Sequence, residues 1–441
     1  MSRLTSVTNS LSKVTSFQFD PGGNLTNQID ALTRSTRYSF DALGRRTQRT
    51  LPLSVSQSFG YDKASRLLAQ TNFNGTVITN QYDQLGRRWK RWNGSTLLET
   101  YTYSALGQLT NRVDASGTHS WVYDALGWLK TNSTPAGTLK YSYDDAGNLL
   151  TLDSTTANGV SLSYQYDELS RLKKVTDNRL TGTKDTYYTF DGVGNLQTVA
   201  YPNGVTNLYR YDALNRLTNL VWAKAGTVKA GFGYTLGPPG NRLTLAETNN
   251  GSIRNYTWGY DNGYRLTSEQ IATTAPTGTL SYGFDDVANR TSRSGTLGSL
   301  GAQSFNYDQR DQIDNDATPT TPSTYLDANG NNTSYGVTFT YDWANRLLTQ
   351  ASPSVTLTYD ADGNRIKKVA GGVTTWYLVA TVTPSGYPQV VEELTRTTPT
   401  TLTRLLQFRG RSARKLVENG RFSRVRGNRF RKVVANSSPE A

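Results

Sequence analysis

The sequence predicts an all-β fold made of tandem antiparallel β-hairpins, with one repeat in about 21 residues. Three observations predict it. An aromatic residue followed by Asp and, three residues later, usually by Gly recurs along most of the chain. A second turn signal of the Asn-Gly type lies between these sites. The composition is rich in Tyr and Gly, with only 18% charged residues, as expected for a turn-rich β protein.

The stretch from Tyr38 to Arg46 shows one repeat corner in full. Tyr38 and Phe40 are two residues apart, so on a strand they point to the same face of the sheet. Asp41 favours a turn, because its carboxylate can accept hydrogen bonds from backbone amides just downstream. Gly44 takes a positive φ without strain, and the next strand starts after it.

The corner recurs from Asp20 to Asp360, and this regularity makes each corner Asp a structural residue rather than a candidate for catalysis. Ser104 and Thr235 are interpreted as replacements for Asp at two further corners. The corner aspartates are Asp20, Asp41, Asp62, Asp83, Asp124, Asp144, Asp167, Asp191, Asp212, Asp261, Asp285, Asp308, Asp327, Asp342 and Asp360.

The third position after the corner Asp is most often Gly, as at Gly44, Gly127, Gly147 and Gly363. Asn and Asp, which tolerate left-handed geometry, occupy this position at three other corners. Four corners have residues that fit a positive φ less well, so we expect these corners to be looser: Ser65, Ser170, Tyr264 and Ala288.

Between the corners lie hairpin signals such as Asn74-Gly75, Asn158-Gly159 and Asn250-Gly251. Each repeat therefore contributes two strands, and the array forms one antiparallel ribbon of about 34 strands. A unit of about 21 residues buries too little apolar surface to fold alone, so neighbouring repeats must pair edge to edge.

Composition excludes several classes of protein. The absence of Cys excludes disulfides and Cys-based metal sites or nucleophiles. The sequence has no apolar run of about 18 residues that would span a membrane. Residues 1–14 contain no continuous apolar segment of the signal-peptide type.

Much of the net charge of +13 comes from residues 401–441, which hold eleven Lys or Arg and two Glu. We interpret this basic tail as a poorly ordered segment or as out-of-frame translation of a repeat gene. Binding of nucleic acid or of an acidic surface is the functional alternative. Phe408, Phe422 and Phe430 are too sparse for a base-stacking platform, so nucleic acid is not an expected partner.

The expected organisation is a lead-in over residues 1–14, a repeat array over 15–370, terminal strands of the array over 371–400, and the basic tail over 401–441. Within the terminal strands, Ala380 stands where a corner Asp would be expected.

The chain offers little for catalysis. His119 is the sole histidine, and we interpret it as a strand residue rather than a general base, because metal or acid–base chemistry would need further partners. The stretches that begin at Asp360 and Asp327 are similar to calcium loops but lack the Gly and Glu of the EF-hand pattern, so they are interpreted as plain turns. We therefore expect a non-enzymatic protein with no catalytic, metal-binding or cofactor-binding residues and no cofactor.

The Tyr/Phe-Asp-x-x-Gly-Arg/Asn-Leu runs resemble the YD repeat of Rhs proteins, which also occurs in insecticidal toxin-complex C components and animal teneurins. The resemblance covers about residues 15–370. It is carried by five runs: Phe40-Asp41-Ala42-Leu43-Gly44-Arg45, Tyr123-Asp124-Ala125-Leu126-Gly127, Tyr143-Asp144-Asp145-Ala146-Gly147-Asn148-Leu149, Tyr211-Asp212-Ala213-Leu214-Asn215-Arg216-Leu217 and Tyr359-Asp360-Ala361-Asp362-Gly363-Asn364-Arg365.

The resemblance implies a hairpin strip that spirals into part or all of a hollow β-shell. In bacterial members the shell encloses a variable toxin domain, and teneurins use theirs at cell surfaces, so an extracellular or cell-surface location is implied. Toxin-delivering members end the repeats with an Asp-Pro-containing core motif. Here the sole Asp-Pro is Asp20-Pro21, at the other end. We therefore expect a truncated or orphan member without a core-cleavage motif or toxin domain.

Two functions follow. The first is a structural module that encloses or displays a polypeptide cargo, or that contacts other Rhs segments. The alternative is a carbohydrate-binding surface protein in which exposed Tyr and Trp rows stack on glycans, although same-face packing in the sheet also explains such aromatics. The tryptophans concerned are Trp89, Trp92, Trp121, Trp128, Trp222 and Trp258.

Overall fold

The structure is a computed structural model that describes residues 3–182, 184–298, 300–313, 324–334, 336–397, 401–405 and 415–416. In these residues the chain forms β-strands and one short 3-10 turn, Pro52–Ser54.

The first 28 strands are β1 Ser6–Thr8, β2 Val14–Phe19, β3 Leu25–Ile29, β4 Ser35–Phe40, β5 Arg46–Thr50, β6 Ser56–Tyr61, β7 Leu67–Thr71, β8 Val77–Tyr82, β9 Arg88–Asn93, β10 Thr96–Tyr103, β11 Leu109–Asp114, β12 Gly117–Tyr123, β13 Leu129–Thr134, β14 Gly137–Tyr143, β15 Leu149–Ser154, β16 Ser161–Tyr166, β17 Leu172–Asp177, β18 Asp185–Phe190, β19 Leu196–Ala200, β20 Val205–Tyr211, β21 Leu217–Lys224, β22 Thr227–Leu236, β23 Arg242–Asn249, β24 Ser252–Tyr260, β25 Leu266–Ala272, β26 Gly278–Phe284, β27 Arg290–Gly295 and β28 Gln303–Ser304. A second group comprises β29 Phe339–Tyr341, β30 Leu347–Gln350, β31 Val355–Tyr359, β32 Arg365–Ala370, β33 Val373–Ala380, β34 Gln389–Thr397, β35 Thr401–Leu405 and β36 Lys415–Leu416.

Within each group, every strand pairs antiparallel with the next strand of the chain, as the pairs β1–β2, β4–β5 and β33–β34 illustrate. The result is a 28-stranded sheet and an 8-stranded sheet. The prediction of an all-β meander of antiparallel hairpin repeats is therefore confirmed. No helix of the described residues has the length and apolarity to cross a membrane.

The strands form because apolar and polar side chains alternate. In β14, Leu139 and Tyr141 are buried, whereas Lys140 and Ser142 face solvent. The largest apolar cluster is built on this face of β13–β16, and it also takes in Leu378 and Ala380 of β33. Residues far apart in sequence thus share one core.

The strip has two edges of different chemistry. The corner edge holds the loops that begin at the predicted corner aspartates. The hairpin edge holds the alternate loops, from residues 9–13 to residues 371–372. Because consecutive strands run in opposite directions, the two kinds of loop lie on opposite sides of the ribbon.

The hairpin edge of early repeats contacts the corner edge of late repeats, with partners 232 to 277 residues apart in sequence. Ser10 Oγ donates to the Asn262 carbonyl oxygen at 2.6 Å, 252 residues away. Arg112 Nη1 donates to Asp362 Oδ2 at 2.7 Å, 250 residues away. The amide of Val160 donates to Glu392 Oε1 at 2.6 Å, 232 residues away. The strip therefore spirals and meets itself after about one turn, and we call this line of contacts the seam.

Two replacements inferred from sequence need correction. Thr235 is not a corner residue, because β22 continues through it and the corner begins at Gly237, whose amide donates to the Asn241 carbonyl oxygen at 2.8 Å. The expected Asp at Ala380 is absent for a packing reason: Ala380 is fully buried in the cluster with Leu139, and the loop starts after it.

The division into four segments stays a prediction. Within the residues that the structure describes, β1 falls inside the lead-in and pairs with β2, and β35 pairs with β34 inside the range assigned to the basic tail. Residues 406–414 and 417–441 of that tail lie outside the described residues.

The left-handed position of the corner is kept whatever residue occupies it. Gly44 has φ +73°, Ser65 has φ +63°, Tyr264 has φ +59° and Ala288 has φ +74°. The amides of Ser65 and Tyr264 donate to the corner Asp carbonyl oxygens at 3.0 Å, close to the 2.9 Å found at Gly44. The expectation of looser corners is therefore wrong in geometry at Ser65 and Tyr264, whereas the Ala288 amide lies 3.2 Å from the Asp285 carbonyl oxygen, slightly longer than at Gly44. The cost at these corners is backbone strain in a conformation that L-residues disfavour.

This strain gives a first prediction. Replacing Ala288 by Gly removes the strain of an L-residue held at a positive φ. The free energy of unfolding should rise by about 0.5–1 kcal/mol, once the entropic cost of ordering the more flexible Gly is subtracted. Gly44→Ala should lower it by about 1–2 kcal/mol, because a Cβ there is strained and would lie 3.2 Å from Asn24 Oδ1. Thermal unfolding followed by circular dichroism measures both; a destabilising Ala288→Gly would contradict the strain argument.

Candidate functional site

Each of the fifteen Asp corners is organised by one carboxylate. Asp41 Oδ1 accepts hydrogen bonds from the amides of Leu43 and Arg45, both at 3.0 Å, and Oδ2 accepts from Arg45 Nε at 2.7 Å. The Gly44 amide donates to the Asp41 carbonyl oxygen at 2.9 Å. The side chain thus satisfies two amides that the tight turn leaves without a strand partner.

The same acceptance by Oδ1 of the amide four residues on occurs at Asp20, Asp41, Asp62, Asp83, Asp124, Asp144, Asp167, Asp191, Asp212, Asp261, Asp285, Asp308, Asp327, Asp342 and Asp360.

Sequence reasoning missed three loops of the hairpin edge that use the same device. The side chains of Asn9, Asp30 and Asn72 accept from the amide four residues on, at 2.9–3.0 Å. The available signal was an Asn or Asp at the end of a strand and four residues before the next one. It went unnoticed because no aromatic residue precedes it.

The corner also couples each repeat to the next. Arg45 pairs with Asp41, and its Nη1 donates to the Asp62 carbonyl oxygen at 2.8 Å. The Arg45 guanidinium lies 5.0 Å from the centre of the Tyr61 ring, a cation–π distance, and the Tyr61 hydroxyl donates back to the Arg46 carbonyl oxygen at 2.9 Å. Tyrosine before the corner Asp therefore joins successive repeats, which phenylalanine cannot do by hydrogen bonding.

Hydrogen bonds to the carboxylate set its protonation. At Asp62 and Asp212 the backbone amide of the following Arg is the largest influence, and it lowers the pKa of the carboxyl below its ordinary value, against a smaller opposing effect of burial. These two corners thus favour the ionised aspartate, whereas at Asp360, which lies in the contact between turns, burial raises the pKa of the carboxyl.

The largest group of buried charges at the seam surrounds Arg112 of β11. Its side chain is 2% exposed and forms ion pairs with Asp114 at 3.0 Å, Asp362 at 2.7 Å and Asp360 at 3.7 Å. The amide of Ala361 donates to Asp114 Oδ2 at 2.9 Å. A single guanidinium therefore holds a hairpin loop of one turn against a corner of the next.

His119 lies in the same cluster. Ser116 Oγ donates to Asp114 Oδ1 at 2.6 Å and lies 2.7 Å from His119 Nε2, while the His119 ring stacks on Trp121. Burial opposes ionisation of Asp114, but hydrogen bonds from His119 and Ser116 hold the pKa of its carboxyl well below the ordinary range.

A Ser, His and Asp so close together suggest a nucleophilic triad, but the geometry differs. Asp114 approaches the same ring nitrogen of His119 as Ser116 does, at 3.5 Å, so it does not orient the opposite nitrogen as a triad requires. The Ser116 hydroxyl also donates its hydrogen bond to the Asp114 carboxylate rather than to His119. His119 is a buried strand residue of the seam.

The seam uses different chemistry at other points. Arg34 Nη2 pairs with Asp311 at 2.8 Å, and the Arg91 guanidinium lies 4.8 Å from the centre of the Trp343 ring. Glu392 of β34 is fully buried and accepts from Thr156 Oγ1 at 2.8 Å as well as from the Val160 amide. In each of these contacts at least one partner lies in a loop.

The tryptophans do not form the exposed rows that the glycan-binding alternative needs. Among the six, Trp89 alone is more than a third exposed, at 40%. Trp121 is covered by Arg112, Trp222 packs edge-on against Phe232, and Trp258 Nε1 donates to Glu269. They stabilise the sheet face, as the packing interpretation holds.

A ribbon of YD corners that spirals and seals against itself is the architecture of a YD-repeat shell protein. Residues 53–311 match the profile of the family described as Teneurin YD-shell, and residues 19–56 match that of the RHS Repeat. The chain belongs to the teneurin YD-shell family. A search of curated protein sequences finds no match.

Solved structures support the same fold. The crystal structure of TcdB2-TccC3-TEV has a TM-score of 0.76 and 16% identity over 93% of this chain and 25% of that one. The Tc holotoxin pore of Photorhabdus luminescens has a TM-score of 0.76 and 16% identity over 92% and 24%. TcdB2-TccC3 without its hypervariable C-terminal region has a TM-score of 0.77 and 16% identity over 92% and 24%. The chain spans about a quarter of their length.

The lowered carboxyl pKa values predict acid sensitivity. A group whose pKa is lower in the folded state contributes stability above the unfolded pKa of about 3.9, and this contribution is lost as pH falls through the folded value. Thermal stability should therefore be flat from pH 7 to about 5 and fall below about pH 4.

The matched variant is Asp212→Asn, which keeps an acceptor oxygen but removes the charge. Its melting temperature should lie below that of the native chain at pH 7 and converge on it near pH 2.5, as both are followed by circular dichroism. A constant difference at all pH values would show that the charge of this corner does not matter.

Removing Arg112 should break the seam. Arg112→Leu leaves the buried carboxylates of Asp114 and Asp360 without their cation, beside the exposed Asp362, which should lower the free energy of unfolding by about 3–5 kcal/mol. Arg210→Leu, at an exposed position of β20, is the control and should change it by no more than about 0.5 kcal/mol. Urea unfolding of both variants measures the difference, and equal effects would exclude a special role for the cluster.

Proposed function

We propose that the chain is a non-enzymatic wall segment of a hollow YD shell that encloses or displays a polypeptide. The observation that carries the proposal is the seam, because a strip that contacts itself after about one turn surrounds a space rather than presenting a flat sheet. Buried ion pairs at the seam fix the register between turns, although burying their charges costs stability. A sheet that did not contact itself would have no use for such pairs.

The dimensions bear on what such a wall could hold. Twenty-three strands, β2 to β24, lie between the loop at residues 9–13 and the corner at residues 261–265, which it nearly meets. At about 4.8 Å per strand the circumference is about 110 Å, or about 35 Å across before strand tilt is considered. A folded 100-residue domain, with a radius of gyration of about 13 Å, would fill that width before side chains are counted. An extended polypeptide fits better.

Membership in the YD-shell family supports a shell role. Because the family is associated with extracellular toxins and cell surfaces, an extracellular or cell-surface location is part of the same proposal. That the chain is a truncated or orphan member stays a prediction. The tryptophans give little support to the glycan-binding alternative, because Trp121, Trp222 and Trp258 are packed into the sheet. Titrating a glycan panel while following tryptophan fluorescence tests it directly.

Protease protection tests enclosure. An unstructured reporter with a single protease site, fused after Ala441, should be cleaved at least about tenfold more slowly than the free reporter peptide, because the wall limits access. The rates are measured by mass spectrometry at a protease concentration that leaves the shell intact.

The control is the seam itself. Arg112→Leu should restore fast cleavage, whereas Arg210→Leu should not. Equal cleavage of the fused and free reporter would contradict enclosure, and protection that survives loss of the seam would assign it to something other than the wall.

A further inference from the structure

A row of apolar side chains is exposed along the corner edge of the first turn. Each side chain lies two residues after the corner residue. Leu85 is 74% exposed, Leu106 is 87% exposed and Leu126 is 72% exposed. The complete row comprises Leu43, Leu85, Leu106, Leu126, Leu169, Val193 and Leu214. Successive corners are two strands apart, so the side chains follow one another at intervals of about 10 Å or a multiple of it.

The corner does not require these leucines. The residue at this position contributes only its amide, which donates to the corner carboxylate. Other corners keep the same geometry with Ala64, Gly263 or Asp362 there. Single exposed leucines are ordinary on a protein surface, but a regular line of them on one edge marks an interaction surface.

The second turn shows what covers this position. At Gly263 a Cβ would lie 3.0 Å from Leu11 Cδ1 of the hairpin edge. The amide of Asn329 donates to Asn74 Oδ1 at 3.1 Å, and Asp362 accepts from Arg112. At these three points of the seam, the residue two after the corner therefore meets the hairpin edge of the preceding turn.

The chain also carries the complementary edge in exposed form. The hairpin loops at residues 203–204, 225–226 and 250–251 are exposed, and Val228 and Ile253 beside two of them are 41% and 49% exposed. Each molecule thus has an exposed corner edge on its first turn and an exposed hairpin edge further along. The two lie on opposite sides of the ribbon.

We propose that the exposed corner edge of the first turn docks onto the exposed hairpin edge of a second copy of this chain. The contact repeats the geometry of the seam between molecules, so copies stack head to tail and continue the spiral. Because the two surfaces differ, the contact is heterologous and leaves one edge open at each end of a stack. The proposal concerns the edges of the wall and is independent of what the wall encloses.

Sedimentation equilibrium over a concentration series tests the association. The native chain should self-associate, and Leu85→Lys/Leu106→Lys/Leu126→Lys should lower the association constant at least tenfold. The matched control, Leu68→Lys/Val113→Lys/Val122→Lys, replaces exposed apolar residues of the sheet strands and should leave it unchanged. A native chain that stays monomeric at 100 μM, or a control as defective as the corner variant, would overturn the proposal.

Cross-linking gives a second measurement that does not depend on lysine substitutions. Because the chain has no Cys of its own, each introduced Cys is the sole thiol of its variant. Leu43→Cys, Leu85→Cys, Leu106→Cys and Leu169→Cys are each mixed with Ala225→Cys and treated with a bifunctional thiol reagent. At least one mixture should yield a mixed dimer, and no single variant should yield a dimer alone. Dimers of the leucine variants alone would indicate a two-fold contact between leucine rows, and no mixed dimer in any mixture would exclude the stack.

Discussion

The strip depends on the carboxylate that accepts backbone amides at nearly every corner, two of them at corners such as Asp41. A reversal of four or five residues leaves amides without ladder partners, and the corner Asp satisfies them while its second oxygen holds the Arg or Asn that follows. With that corner fixed, the tyrosine before it reaches the preceding repeat and the arginine after it reaches the next one. Neither connection would have a defined partner if the corner frayed, so local turn chemistry and the pairing of repeats are one system.

The seam obeys a different constraint. A buried ion pair seldom adds net stability over apolar packing, but it penalises a wrong partner severely. Arg112 between Asp114, Asp360 and Asp362 is such a device: a shift of one repeat along the strip would bury charges without partners. Near β33 the strip uses apolar packing instead, where Leu378 and Ala380 join the cluster of β13–β16, and Glu392 adds a polar anchor beside it. Register and cohesion are thus supplied by neighbouring but distinct parts of the contact.

The elements that could be predicted from sequence are those whose cause is local. The corner at Asp41 and the alternation of β14 depend on residues within a few positions of each other, so the antiparallel meander was predicted correctly. Where the role of a residue depends on a contact that is distant in sequence, the local sequence pattern misleads. Ala380 occupies an expected Asp position because it is buried in the apolar cluster with Leu139. The role of Arg112 was hidden because Asp360 and Asp362, which pair with it, lie about 250 residues later in the chain. The strain accepted at Ala288 was also hidden, since a tertiary structure can hold φ +74° that local preference would reject.

The contrast between constant corners and variable seam contacts follows from these two kinds of cause. A turn of fixed length has few ways to satisfy its amides, so the Asp recurs from Asp20 to Asp360. Two loops that meet across a spiral need only be complementary at that point, and the chain uses a hydrogen bond at Ser10, an ion pair at Arg34 and a cation–π contact at Arg91. Seam partners are separated by 232 to 277 residues, so the two turns stay in contact even though the loops between them differ in length. A wall of this kind can therefore change its seam repeat by repeat while every corner stays the same.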